Sequence, residues 1–181
     1  MLAQSLLDHP DPEVRGIATA AFAYWGYTDS LVVMLDDDHK LVRKLAMYAL
    51  FDVPQSDSVA QISLDQLRTG SCADAGETLE TALRHMEAAE GSDLLLDIAL
   101  HDRRASQRIR AVELLAERAD DAKLKKLAPL LDTPPAVNWA FHTRLLEALP
   151  ASSFRVDRLR YLVTVDNIHI AAAASQALAR G

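Results

Sequence analysis

Apolar residues recur along this chain at spacings of three and four, the mark of helices with one buried face, and no stretch alternates polar and apolar positions long enough to argue a strand. The pattern predicts a short helix ending at Asp8, a longer one over Pro12–Trp25, a second short helix ending at Asp36 and a second long one over Lys40–Asp52. Downstream it predicts helices near 57–69, 76–90, 92–101, 105–119, 121–131, 135–149, 153–165 and 168–180. Asp11 ahead of Pro12 is a sound helix start, an acidic cap followed by a proline whose missing donor is not needed there. Gly26 and Pro54 are stops.

The pattern also repeats. Asp11-Pro12-Glu13-Val14-Arg15 is followed by Ala18, Ala21 and Phe22, and 28 positions later Val42-Arg43 is followed by Ala46, Ala49 and Leu50. Leu6-Leu7-Asp8 matches Met34-Leu35-Asp36, and Leu130-Leu131-Asp132 echoes it again. With Val14 as marker, the equivalents are Val42, Ala75, Gln107, Asn138 and Ile170, at steps of 28, 33, 32, 31 and 32. A period of that length is the signature of stacked helical hairpins rather than of one closed bundle. The recurring alanines let neighbouring helices approach, while Phe22 and Leu50 fill the space beside them. The core is therefore expected at Val14, Ala18, Ala21 and Phe22 and their equivalents.

These residues resemble HEAT repeats, and most closely the short HEAT-like repeats of the phycobilisome-lyase type. The resemblance is carried most fully over residues 2–52, less fully over 98–118 and 126–180, and least over 53–97, where either an irregular repeat or a divergent helical pair is expected. It implies an all-α fold: a right-handed α-solenoid of about six hairpins, forming one domain over residues 1–181, with the second helix of each hairpin lining a concave face. It implies no single activity, since one fold hosts many functions. In the family, acids and arginines at repeat positions commonly pair into a ladder. Asp8, Arg15, Asp36, Arg43 and Arg108 stand at those positions, each arginine expected to meet an acid from an adjacent turn.

Composition narrows the reading. Half of the 181 residues are apolar, which suits a continuous core. The net charge of −7 argues against broad binding to a phosphate backbone, so a nucleic-acid partner is not expected. Arg103, Arg104, Arg108 and Arg110 form the densest basic run, and Arg155, Arg158 and Arg160 a second, both read as solvated helix faces. A single cysteine, Cys72, excludes an internal disulfide and points to a reducing compartment, the cytoplasm. No apolar run is as long as a membrane span. Solenoids need polar caps. The alanine-rich last helix and a Met1 set almost inside the first give two expectations: self-association through an uncapped terminal helix, or a chain that is a fragment of a longer array.

Catalytic chemistry finds little purchase. No two histidines stand four apart, so the helical zinc pattern is missing. Asp36-Asp37-Asp38-His39 is the most metal-like run but lacks the glycine and distal glutamate of a calcium loop, and acids are what a helix start favours. Cys72 stands in an expected turn near Asp74 and far in sequence from any histidine, whereas a reactive thiol needs a neighbouring cation to lower its pKa. Neither a metal, a cofactor nor an enzymatic activity is expected.

The expected partner is another protein or peptide held on the concave face. The stripe opposite the core offers Met47, Tyr48 and Phe51, joined by Tyr24, then Glu80, Thr81 and Arg84, Glu113, and Arg144 and Glu147. Tyr, Met and Phe grouped on a concave face are anchor residues for a peptide or helix, and Tyr48 is the first choice for a contact. The competing reading has Met47 and Phe51 packing against the next helix. Trp139 and Phe141 are expected as bulky core substitutes. A non-catalytic scaffold or adaptor is the leading function. The alternatives are an accessory subunit of a bilin lyase, which rests on the resemblance alone, and a HEAT-like DNA glycosylase, which the acidity disfavours.

Overall fold

In the computed structural model, the described residues are 2–180 apart from 71, 73, 119 and 134–137, with the side chains of residues 2–4 also outside the description. The parts of the expected helices at 119 and 135–137 therefore lie outside it. The described residues form twelve α-helices and no strand. They divide into two compact units, residues 1–91 and 92–181.

The first unit holds α1 (Leu2–Leu7), α2 (Pro12–Trp25), α3 (Thr28–Met34), α4 (Lys40–Phe51), α5 (Asp57–Thr69) and α6 (Ala75–Arg84). Each odd helix packs on the even helix after it; α2 packs on α4, α4 on α6, and α3 on α5, giving two rows of helices in a stack of hairpins. The hairpin at 57–84 takes its place in both rows, although it carries the repeat pattern least well. The helix starts follow from cap chemistry. Asp11 Oδ1 accepts from the Glu13 N–H at 2.9 Å, and Asp74 Oδ1 accepts from the Gly76 and Glu77 N–H groups. Gly26 ends α2 at φ 72°, the left-handed region that favours glycine.

Phe22, Leu31, Leu35, Val42, Ala46, Leu50 and Val59 form the fully covered centre of this unit. Burying each large apolar side chain contributes about 1.5–3 kcal/mol. The buried stripe of α2 is Arg15, Gly16, Ala18, Thr19 and Phe22, with Val14 and Ala21 only half-buried. It is thus rotated from the expected one, because an even helix meets both its own hairpin partner and the next even helix. Gly16 lies on the latter approach: a Cβ there would be 3.3 Å from Leu45 Cδ1.

Polar bonds tie successive hairpins together. Arg15 Nε and Nη2 donate to the two Asp37 carboxylate oxygens at 2.7 and 2.9 Å, and Nη2 also reaches Asp38 at 2.5 Å. Its Nη1 donates to the His9 and Pro10 carbonyls. The ladder acids are therefore Asp37 and Asp38 rather than Asp8 and Asp36, one and two places further along the turn. The reason is reach: the turn residues just ahead of α4 face back across the α2–α4 contact. Arg43 repeats the carbonyl half of the motif, donating to Asp37 O and Asp38 O at 2.7 and 2.9 Å, but its buried Nε has no partner among the described residues. Gln66 on α5 donates to Leu35 O at the end of α3. His85, fully buried just after α6, bridges two segments: its Nδ1 accepts from the Ser56 N–H at 3.1 Å and its Nε2 lies 2.9 Å from Leu50 O.

The division between units falls within α7 (Ala88–His101). The expected break at 90–92 lies instead at 85–87, where His85 turns inward and α6 stops; Gly91 is inside a helix. The second unit continues with α8 (Ala105–Glu117), α9 (Asp121–Lys125), a 3-10 segment (Ala128–Asp132), α10 (Trp139–Ala148), α11 (Val156–Val163) and α12 (Ile168–Arg180). Here α8 packs on α10 and α10 on α12, while α9, the 3-10 segment and α11 each pack on an even helix. Phe141 is buried as expected, but Trp139 is 45% exposed and stacks on His169 with ring centres 5.0 Å apart, so it is no core substitute. Among the described residues no acid lies within ion-pair distance of Arg108. Its Nε donates to Ala99 O at 2.8 Å and its guanidinium lies 4.0 Å from the Phe141 ring centre, and burial lowers its pKa.

Candidate functional site

On the row of even helices in the first unit, α4 and α6 leave a cavity of about 240 Å³ lined by Met47, Tyr48, Phe51, Glu77, Glu80 and Thr81. All but Glu77 stand on the stripe that the repeat pattern assigns to the concave face. Helical spacing produces the arrangement: Met47, Tyr48 and Phe51 on α4, and Glu77, Glu80 and Thr81 on α6, each sit within just over one turn.

Each side chain has a distinct part. Met47 is 3% exposed, so it is floor rather than contact, and its sulfur accepts from the Thr78 hydroxyl at 3.2 Å. Tyr48 is 48% exposed, and its hydroxyl donates to Glu77 Oε1 at 2.5 Å, which fixes the ring as a wall. Lys44 Nζ lies 5.2 Å from the centre of that ring and 3.8 Å from Glu77 Oε2. Its pKa is raised, first by Tyr48 and then by the Glu77 charge. Phe51 is half-buried, with the Arg84 guanidinium 4.6 Å from its ring centre; Arg84 also reaches Asp52 at 3.5 Å. Cations over both aromatic faces and carboxylates at the rim put charge of both signs around the cavity.

Tyr24, grouped with these residues on the sequence pattern, does not line the cavity. It projects from the last turn of α2 at 88% exposure. Nearby, Trp25 and Tyr27 are 59% and 52% exposed and pack edge-on and tilted against buried Phe22.

The remaining charged members of the expected face lie in the second unit. Glu113, Arg144 and Glu147 line an open depression of about 340 Å³ with Ala116, Glu117 and Ala148. Arg144 pairs with Glu113 at 3.0 Å and with Glu147 at 2.8 Å, and Arg110 reaches Glu113 and Glu117. These exposed pairs satisfy one another, each worth about 0–1 kcal/mol.

Sequence reasoning passed over Glu77. It stands four residues ahead of Thr81, one turn back on the same face, and that spacing was the available signal. The acidic run at Asp36–His39 has a structural use, because Asp37 is held by Arg15 and by the His39 N–H.

Charge is distributed unevenly. Residues 1–91 carry 6 Lys and Arg against 15 Asp and Glu, a net of −9, whereas residues 92–181 carry 13 against 11, a net of +2. Among the described residues no helix is long and apolar enough to cross a membrane.

No protein-family model matches the chain, and no curated protein matches it. Among solved structures it is similar to an engineered protein from the Northeast Structural Genomics Consortium, at 16% identity and a TM-score of 0.53. The match covers 98% of this chain and 56% of the engineered one, so the chain spans about half that protein's length. A likeness at this identity speaks to fold alone, and it agrees with an all-α architecture of helices packed in neighbouring pairs.

Proposed function

We propose that this protein is a non-catalytic binding module, a cytoplasmic scaffold or adaptor whose stacked hairpins are HEAT-like and wind as right-handed α-solenoid segments. The groove between α4 and α6 docks a basic amphipathic helix or peptide. The observation that carries this reading is the cavity walled by Tyr48 and Phe51, floored by Met47 and rimmed by Glu77 and Glu80. An aromatic anchor beside a pocket supplies apolar contact area, and tyrosine is enriched where such contacts dominate binding energy. The surrounding unit nets −9, so a cationic partner is steered towards it and an acidic one repelled.

The test uses two synthetic helical probes of the same pattern, one of Lys and Leu and one of Glu and Leu, titrated by fluorescence anisotropy. The Lys/Leu probe binds the wild-type chain, and a Tyr48→Ala, Phe51→Ala double variant binds it at least about tenfold more weakly, as loss of an interface anchor requires. Equal binding by the double variant, or equal binding of the Glu/Leu probe, refutes the assignment.

A further inference from the structure

The second unit holds a cavity of different chemistry. It has a volume of about 220 Å³ and lies between the 3-10 segment Ala128–Asp132 and the start of α11. Leu131 and Leu159 are buried beneath it, and Phe154 forms one wall. Three cations surround this apolar floor, Lys125, Arg155 and Arg158, against the single carboxylate of Asp132.

The cations are not equally engaged. Arg158 is a fixed wall: its Nε donates to Leu131 O at 2.6 Å and its Nη2 to Thr133 O at 3.0 Å, with the guanidinium 4.8 Å from the Tyr161 ring centre. Asp132 approaches it only to 4.0 Å. Arg155 reaches Asp157 at 3.6 Å, with both side chains largely exposed. Among the described residues no carboxylate lies within ion-pair distance of Lys125. Ser153, in the same wall, keeps a buried hydroxyl without a hydrogen-bond partner among the described residues, a donor still unused. This is a local excess of positive charge over apolar surface, in the unit whose net charge is +2.

From this arrangement we infer that the crevice binds a small carboxylate carrying a short apolar chain. The chain lies on Leu131, Leu159 and Phe154, and the carboxylate meets Arg158, Arg155 and Lys125. Arginine suits the headgroup because its planar fork matches a carboxylate: Arg155 offers that fork, while Arg158, whose Nε and Nη2 are on carbonyls, offers its Nη1. The volume sets the size: 220 Å³ is below the roughly 300–1,000 Å³ of sites for drug-sized ligands and matches about seven waters, so the ligand is a fragment. Two sources offer this chemistry, a free short-chain acid and the C-terminal carboxylate of a peptide ending in an apolar residue.

The experiment is methyl NMR on the full chain with labelled leucines, following Leu131 and Leu159. The probes are hexanoate, hexanol and hexylamine, and the tripeptide acetyl-Ala-Ala-Leu as free acid and as amide. Hexanoate is expected to give saturable shifts with a Kd on the order of 1 mM, and hexanol to bind about tenfold more weakly. A Lys125→Gln, Arg155→Gln variant, which removes two exposed side chains, keeps the circular dichroism of the wild type and weakens hexanoate about fivefold. Binding of the tripeptide acid but not its amide assigns the C-terminal source, and binding of hexanoate alone assigns the free acid. The inference is overturned if neither acid gives a saturable shift at these methyls, if hexanol or hexylamine matches hexanoate, or if the variant binds hexanoate like the wild type.

Discussion

His85→Ala is expected to remove much of the stability of residues 1–91 while leaving residues 92–181 unchanged. A backbone N–H can only donate, so the Ser56 bond places the His85 proton on Nε2, where it is donated to Leu50 O. One ring thus joins the end of α4 and the start of α5 to the end of α6. Alanine deletes both bonds, each worth about 0.5–1.5 kcal/mol net. It also empties the space of a fully buried ring, and comparable large-to-small changes cost about 2–5 kcal/mol. Allowing for water entering a polar cavity, the loss is about 3–4 kcal/mol, against a total of roughly 5–14 kcal/mol for a unit of this size. The chain supplies its own reporters, since Trp25 lies in the first unit and Trp139 in the second. In a Trp139→Phe background, the urea midpoint read from Trp25 should fall by about 2 M, given a slope near 1.5–2 kcal/mol/M. His85→Gln, whose amide can still donate to Leu50 O, should recover about 1 kcal/mol. The reasoning fails if the Trp25 transition moves by less than about 0.5 M, or if the Trp139 transition, read in a Trp25→Phe background, moves as far.

Asp37 should govern part of the acid sensitivity of the first unit. Burial pushes its carboxyl up, but the bonds from Arg15 and the His39 N–H outweigh this and hold its pKa below the ordinary value. Its contribution is therefore complete above the unfolded value of about 3.9 and is lost as pH falls through the lower native one. Urea midpoints for wild type and Asp37→Asn should differ at pH 7 and converge on acidification; parallel curves would show that Asp37 is not the group responsible. Gly16→Ala should stabilise α2 by about 0.5 kcal/mol, because helix propensity gains up to about 1 kcal/mol and the only close atom, Leu45 Cδ1, is the tip of a flexible side chain. Gly16→Val should destabilise it, and the same urea titration separates the two.

The helices were legible because their evidence is local. Asp11-Pro12 and Gly26 announce the bounds of α2, and the three-four spacing shows that the helix buries a face. What sequence periodicity left open depends on contacts between hairpins. The stripe of α2 is turned towards Thr19 and Gly16 because α4 covers that side, a neighbour the pattern within one helix does not reveal. Asp37 and Asp38 take the arginine in place of Asp8 and Asp36, since a shift of one residue in a turn swings the side chain to another direction. His85 was unreadable, for a lone histidine in a degenerate repeat carries no sign that two distant backbone groups await it. The groove fared better: Tyr48, Phe51 and Glu80 come together as the period requires, because stacking hairpins by one translation brings equivalent faces into register. Tyr24 falls outside because α2 ends before the site begins.

The half-formed rung at the start of the chain bears on how such an array can be lengthened by design. Where Arg15 finds the carboxylates of Asp37 and Asp38, the corresponding positions of the first turn are His9 and Pro10. A duplicate of residues 12–28 grafted ahead of α1 would bring its arginine to the His9–Pro10 turn, with no acid at either place, so the graft would begin with a stranded guanidinium. Supplying the acid with His9→Asp is the minimal edit such a fusion needs.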